Sequence, residues 1–530
     1  MSRRRPSLST RAPRSTDRDG EIMSKNIVHQ QDSVDHERRL LIDGELRDAA
    51  DGRVFDVLNP ATGQVAGVVA NASAGDMDDA IAAARRAFDI TSWRTDRGFR
   101  ERALRQLHTA LQSEREAFRS ELIEEVGAPL MSTYGSQLDW PLDETLPWVI
   151  DELGRFGFER RIADSALLGA TSQRWILKEP VGVVGAIVPW NFPLEILLGK
   201  LAPALATGNT LVVKASPETP WNATRVGRLI AEKTDIPPGV VNIVTTDDVA
   251  VAQKLVTDPR VDMISFTGST ATGRLIASEG AATMKRTLLE LGGKSAAIVL
   301  DDADLAMAAR SAAGACFHAG QVCAGTSRLL VHRSIYDEMV IMLGHVYKGL
   351  AVGDPRNIDT LCGPVASERQ RDNIMGMIDG ARSSGAELVV GGGVPDGLVN
   401  GLDKGFWVQP TLFVGVDNSS RLAQEEVFGP VLAVTPFADD ADAVRLANDS
   451  RYGLSGSVFT ASTERAMSIA RSVRTGTLAI NGGNYSGADA PFGGFKASGV
   501  GRQGGPEGFA SYLETKTIGS TLPLGAEVTA

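Results

Sequence analysis

Cysteine is scarce: the 530 residues contain three, Cys316, Cys323 and Cys362. So odd and sparse a set excludes a disulfide framework. It also lacks the paired spacing of a metal site, so no metal is expected, and free thiols fit a reducing, cytoplasmic setting. Positive charge is lacking too. A net charge of −11 argues against nucleic acid as a partner. Long apolar runs are also missing. The most apolar stretch, 181–199, is interrupted by Pro189, Asn191, Pro193 and Glu195, which fits strand, loop and helix start better than a membrane span. What is present is ordinary globular composition, 43% hydrophobic and 22% charged, in a chain too long for a single core. Residues 1–19 carry six arginines and no apolar core. Residues 1–37 therefore read as a disordered tail rather than a transit peptide, with Met23 a candidate start.

Past the tail, periodicity organises the chain. Ala80, Ile81, Ala84 and Phe88 recur at helical spacing within 74–88, and helices are expected again over 101–126 and 138–158. From residue 181 short apolar runs alternate with helical segments. Strands are expected at 181–188, 210–213, 240–244 and 263–266, with helices starting near Pro220, Val249 and Thr270. Apolar strands that do not alternate, each followed by a helix, predict a buried parallel sheet of the doubly wound kind. A second series follows at 327–331, 388–391, 431–437 and 477–480, and the glycine-rich 391–401 reads as a surface loop. The fold class is thus α/β, with two doubly wound domains and a ligand site near their seam.

Chemistry concentrates in a few segments. Cys323 lies in Gly320-Gln321-Val322-Cys323-Ala324-Gly325, and Glu290 in Leu289-Glu290-Leu291-Gly292-Gly293-Lys294. A thiol among small residues, with a carboxylate opening a Gly-Gly turn, points to a nucleophile with a nearby base. In Pro189-Trp190-Asn191-Phe192-Pro193 two prolines fix the backbone around Asn191, whose amide can offer an N–H to an oxyanion. A free cysteine is more often a small buried hydrophobe, the reading favoured for Cys316. Cys362 has no evident partner. The Cys323 N–H is expected to open a helix and lower the thiol pKa. His318 admits a Cys-His hydrolase, although a histidine beside Phe317 is more often a packing residue. No G-x-G-x-x-G follows a predicted strand. Instead Phe266-Thr267-Gly268-Ser269-Thr270 follows a strand, where Gly268 permits a tight turn and Ser269 can meet a pyrophosphate or simply cap the helix. Gly293-Lys294-Ser295 echoes a phosphate loop but has Leu288 where such a loop needs glycine.

The Asn191, Glu290 and Cys323 motifs, in that order, resemble the aldehyde dehydrogenase superfamily, and the resemblance runs from about Leu40 to Ile518. It implies a dinucleotide-binding domain over 38–157 and 181–292 and a catalytic thiol domain over 293–497. Segments 158–180 and 498–525 would then be arms that pair across subunits, giving a homodimer or homotetramer. The reaction implied is oxidation of an aldehyde to the free acid through a thiohemiacetal and thioester on Cys323. Asn191 and the Cys323 amide would hold the oxyanion, and Glu290 would activate water. The implied cofactor is NAD, with NADP not excluded. Its site would take in Val188, Pro189, Trp190, Lys214, Pro217, Glu218, Gly268, Ser269 and Leu291. Within Glu425-Glu426-Val427-Phe428-Gly429-Pro430, Glu426 would meet the nicotinamide ribose and Phe428 would back the ring. Phe192, Ile196, Gly199 and Phe492, the last in Pro491-Phe492-Gly493-Gly494-Phe495, would line the aldehyde tunnel.

Departures from the family pattern carry information. Pro217 stands where many relatives place a ribose-binding glutamate, with Glu218 one position later. Gln503 replaces an acid, so a second proton relay through that position is not expected. Gly199 replaces a bulky aromatic and, with Ser486 opposite, predicts a wide tunnel for medium-chain, terpenoid or aromatic aldehydes. Two rivals stand beside this reading: a CoA-acylating semialdehyde dehydrogenase, disfavoured by Glu290, and a cysteine esterase without redox chemistry.

Overall fold

Five short strands, most of their residues buried, form the centre of the first sheet in the computed structural model, which describes residues 35–522. They lie in the order Arg286–Glu290, Met263–Thr267, Val183–Ile187, Thr210–Ala215, Val241–Thr245, all parallel. A sheet covered on both faces selects continuous Val, Ile and Leu, and that is what made four of these runs legible, Arg286–Glu290 being the exception. Helices Pro193–Ala206, Trp221–Lys233, Val249–Thr257 and Thr270–Gly280 connect the strands. Helix Ala74–Ile90 packs onto the same layer, its start fixed by a capping box in which Ser73 and Asp76 exchange hydrogen bonds. The tail expected over 1–37 lies almost wholly outside the described residues.

The second sheet has the order Glu387–Val390, Thr411–Val414, Val431–Phe437, Arg328–His332, Ala296–Val299, Gly456–Phe459, Ala479–Ile480. Every neighbouring pair is parallel except Glu387–Val390 with Thr411–Val414. A third, antiparallel sheet joins Glu159–Leu167, Ala170–Pro180 and Leu513–Ser520. Residues 391–401 form no strand or helix, as expected of a loop.

Several elements differ from the sequence reading. The helix expected over 101–126 is two, Arg97–Ser113 and Arg115–Val126. Glu114 leaves helical geometry at the junction, and its carboxylate reaches Arg225 at 2.7 Å. The helix expected over 138–158 is Leu146–Arg155, preceded by a wider turn, Pro141–Thr145, as a proline that cannot donate its backbone N–H favours. Strands Arg286–Glu290, Ala296–Val299, Thr411–Val414 and Gly456–Phe459, and the hairpin Val54–Asn59 with Gln64–Ala70, had not been expected as strands. The segment 498–525 is divided. Gly499–Val500 pairs with Arg286–Glu290 at the edge of the first sheet, and only Leu513–Ser520 joins the third sheet. Among the described residues no helix is long and apolar enough to cross a membrane.

Candidate active site

The carboxyl ends of the central strands of the first sheet open onto a cavity of about 700 Å³ whose far wall comes from the second half of the chain. Ligands collect at this end of a doubly wound sheet, because the loops leaving the strands diverge there. Three chain segments converge on it. Strand Val183–Ile187 runs into the Pro189–Phe192 turn, strand Arg286–Glu290 ends on Glu290, and Cys323 sits in a turn before strand Arg328–His332.

Asn191 is buried and its side-chain Nδ2 donates to the Gln321 carbonyl at 2.9 Å. An amide nitrogen has two N–H groups, so one remains for the cavity. The Asn191 backbone carbonyl accepts from Gln137 at 2.8 Å and from His318 Nε2 at 3.0 Å, which fixes the residue from behind. The side chain does not cap the following helix. His318 is buried and edge-on to Phe192, and burial pushes its imidazole down to about 4. It serves Asn191 rather than the thiol, and among the described residues no histidine is hydrogen-bonded to a cysteine.

Glu290 is buried, and neither carboxylate oxygen has a hydrogen-bond partner. Burial pushes its pKa upward, against the pull of Lys200 and Arg502. The strand-end turn is tied down by Ser498, whose carbonyl accepts from the Leu291 N–H at 3.0 Å and whose hydroxyl donates to the Gly292 carbonyl at 2.7 Å. Glu290 also lies against Gly493, where an added Cβ would come within 2.6 Å of its Oε1. The segment Pro491–Gly499 is therefore part of the floor under Glu290.

Cys323 is half-buried, and its backbone N–H has no hydrogen-bond partner among the described residues. The sequence reading expected a helix start and a lowered thiol pKa; both expectations are corrected. The residue sits in a turn, and the preceding helical segment is broken by Phe317 at ψ 135° and by positive φ at His318 and Ala319. Burial, then Glu290, Glu195 and Glu426, push the thiol up to about 12. Cys316 and Cys362 are buried and unpaired.

The residues present fit a dinucleotide. A Cβ on Gly268 would fall 2.5 Å from the Phe266 ring, and one on Gly292 would fall 2.1 Å from a Glu426 oxygen. At both turns glycine keeps the backbone bare beside the cleft and leaves room for the Phe266 ring and the Glu426 carboxylate to lie against it. Thr267 Oγ1 is buried without a partner on the same wall. Ser269 caps helix Thr270–Gly280, accepting from the Thr272 N–H at 3.1 Å, and also faces the cavity. Glu426 accepts from the Gly293 N–H at 2.9 Å, and Phe428, at φ +53°, packs edge-on against Trp190.

Of the residues singled out in the sequence, Cys323, Glu290, Asn191, Pro189, Trp190, Gly268, Ser269, Leu291, Glu426 and Phe428 share this one wall. Phe192, Ile196, Gly199 and Phe492 share it as well. Val188, Lys214, Pro217 and Glu218 lie off it. Val188 donates to the Lys214 carbonyl at 3.1 Å, so the two belong to the same end of the sheet. Glu218 accepts from Ser216 at 2.6 Å and from Arg369 at 3.0 Å. The space expected to open at Gly199 is filled: a Cβ there would meet Gln503 Nε2 at 2.2 Å. Sequence reasoning missed Glu195, Lys200, Trp140 and Trp148. Glu195 and both tryptophans line the cavity, and Lys200 donates to Gln503 and Ser265, each at 3.3 Å. The overlooked signal for Glu195 was a carboxylate in the first turn of an otherwise apolar, buried helix.

Known proteins match along nearly the whole chain. Residues 47–518 match the aldehyde dehydrogenase family. A protein of a Pseudomonas species named 3-succinoylsemialdehyde-pyridine dehydrogenase is 41% identical, over 91% of this chain and 98% of its own. Among solved structures, a Mycobacterium tuberculosis aldehyde dehydrogenase complexed with NAD+ superposes with a TM-score of 0.87 at 38% identity, over 93% of this chain and 99% of that one. Betaine aldehyde dehydrogenase from Staphylococcus aureus in complex with NAD+ gives 0.88 at 36% identity, over 93% and 96%.

Proposed function

The chain belongs to the aldehyde dehydrogenase family, and on that premise we propose that it oxidises an aldehyde to the free carboxylic acid with NAD+, by covalent catalysis at Cys323. The observation that carries this reading is the meeting on one cavity wall of the Cys323 thiol, a spare Asn191 N–H and a carboxylate, Glu290, with both oxygens bare.

The Cys323 thiol passes its proton to solvent in the open cavity as its sulfur bonds to the aldehyde carbon, and the carbonyl oxygen takes the negative charge. Asn191 Nδ2 and the Cys323 N–H hold that oxygen; a donor of this kind contributes roughly 3–4 kcal/mol in comparable sites. A bound dinucleotide would supply the hydride acceptor, with Ser269 and Glu426 the residues that would hold its phosphates and its nicotinamide ribose. Expulsion of hydride leaves a thioester on Cys323. Glu290 then removes a proton from water, whose oxygen bonds to the acyl carbon as the carbon–sulfur bond breaks and the acid leaves. A carboxyl pushed upward by burial is a stronger base than a solvated one, which suits this step.

Glu290 weighs against a CoA-acylating enzyme, because a water-activating base competes with thiol transfer. The engagement of His318 with Asn191 weighs against an esterase. NAD+ is the favoured cofactor, with NADP+ admitted by Pro217. Trp140, Trp148, Phe192 and Phe492 on the wall favour a medium-chain, terpenoid or aromatic aldehyde, in keeping with the pyridine-bearing substrate in the name of the Pseudomonas relative. A homo-oligomer working in a reducing cytoplasm completes the proposal, supported by the third sheet and three free cysteines. The test is an aldehyde panel with NAD+ and NADP+, following reduced nicotinamide and the acid product. Cys323→Ser should abolish oxidation, whereas Glu290→Gln should give a burst of reduced cofactor without turnover. Substantial oxidation by Cys323→Ser would overturn the covalent route.

A further inference from the structure

Glu195 is a carboxylate that the chemistry above does not use. It stands in the first turn of helix Pro193–Ala206, where it is the one acidic residue, and it faces the cavity beside Ile196 and Gly199. Among the described residues it receives no hydrogen bond and forms no ion pair. Lys200, on the same helix, has its ammonium on Ser265 and Gln503 instead. The residue is half-buried and its carboxylate is open to the cavity, where solvent or a ligand meets it. Burial pushes Glu195 up to about 7, with Lys200 pulling the other way. Half-buried Trp140 and Trp148 line the same cavity, with Glu290 and Gln503 among its polar residues.

We propose that Glu195 is a specificity residue of the aldehyde tunnel, pairing with a protonated amino group carried by the substrate. The proposal rests on the aldehyde dehydrogenase reading and names the substrate class within it. The incoming ammonium N–H gives the carboxylate the hydrogen-bond donor that Lys200, engaged with Ser265 and Gln503, does not. Tryptophan faces favour a cation, so Trp140 and Trp148 reinforce the selection. An aldehyde with a distal carboxylate meets repulsion from Glu195, and an alkyl aldehyde leaves it unpaired. An active-site carboxylate without a structural partner thus discriminates mainly through what it leaves unsatisfied with the wrong substrate.

The experiment compares dimethylaminoalkanals of increasing chain length, cationic at neutral pH, with isosteres in which an isopropyl group replaces the dimethylammonium. The readout is the ratio of kcat/KM within each pair, for wild type, Glu195→Gln and Glu195→Asp. At the best chain length the wild type should favour the cation by roughly tenfold to a hundredfold, the range for a hydrogen bond to a charged group. Glu195→Gln should bring the ratio near unity, chiefly by raising KM for the cation, and Glu195→Asp should retain part of the preference. A wild type that oxidises the isopropyl aldehydes as well as the cationic ones overturns the proposal and leaves the dehydrogenase reading intact. If no aldehyde of either kind is oxidised, the dehydrogenase reading itself fails. Equal loss for both members of a pair in Glu195→Gln, with the ratio kept, shows that Glu195 serves the chemistry or the fold and also overturns the proposal.

Discussion

Cys323 is held in a setting that suppresses its thiolate. Burial and three carboxylates raise its pKa to about 12, so without ligands the thiol is protonated and quiet at neutral pH. Alkylation of Cys323 by iodoacetamide, followed by mass spectrometry, should therefore climb about tenfold per pH unit from pH 7 to 9 without levelling, as a thiolate-dependent reaction below its pKa must. Burial raises Glu290 to about 8, so at pH 9 Glu290→Gln removes one of the nearby negative charges and should speed alkylation there. A slower reaction in that variant would mean that Glu290 activates the resting thiol. The cofactor position gives a second test at this scale. Pro217 has no carboxylate to bind a ribose or repel a 2′-phosphate, and Glu218 is turned to Ser216 and Arg369. Pro217→Glu should sharpen preference for NAD+ by weakening NADP+ in kcat/KM, while Glu218→Ala should alter the ratio little. If Glu218→Ala alone admits NADP+, Glu218 is the discriminating group.

The chemical residues were legible because they stand in compact local strings, and the elements because the central strands are continuous apolar runs. Strands such as Arg286–Glu290 and Ala296–Val299 escaped because Leu, Glu and Ala suit helices, and only their place between other strands makes them extended. The same limit hid Glu195 and the filling of Gly199 by Gln503, since both depend on which side chains meet across the cavity. Long-range contacts between helices were equally invisible. His36 stacks on Trp221 at 3.7 Å and lies 3.3 Å from both Glu121 and Glu124, tying the chain start to helices Arg115–Val126 and Trp221–Lys233. Burial alone would lower its pKa, but Glu121 and Glu124 raise it to about 9. The folded protein then holds a proton that the unfolded chain releases near pH 6.5. The contribution to stability is full below pH 6.5 and lost as pH rises through about 9. His36→Phe keeps a ring on Trp221 and loses the charge. It should lower Tm at pH 6, by an amount reflecting about 1 kcal/mol for a partly screened pair, and the gap to wild type should close by pH 10. A gap independent of pH would assign His36 to packing alone.

At the scale of the whole molecule, the third sheet is left largely uncovered by the described residues. Its strands Glu159–Leu167, Ala170–Pro180 and Leu513–Ser520 carry mostly exposed or half-buried residues, in contrast to the buried strands of the two doubly wound sheets. Leu167 is 73% and Leu168 98% exposed at the tip of its hairpin, and Ile518 is 37% exposed on an outer strand. Both outer strands present unpaired backbone groups along one side, the arrangement that invites pairing with another chain. A second copy of the same chain can satisfy one such edge by a two-fold operation, which closes the assembly. The protein should therefore run as a dimer or tetramer by size exclusion with light scattering at micromolar concentration. Ile518→Lys places a charge on the edge strand without touching the catalytic cavity, and it should shift the mass toward the monomer while the purified protein still folds cooperatively. A monomeric wild type would show that the ribbon is stable alone and has some other use. An unchanged mass in Ile518→Lys would move the interface away from this strand, toward the Leu167–Leu168 hairpin.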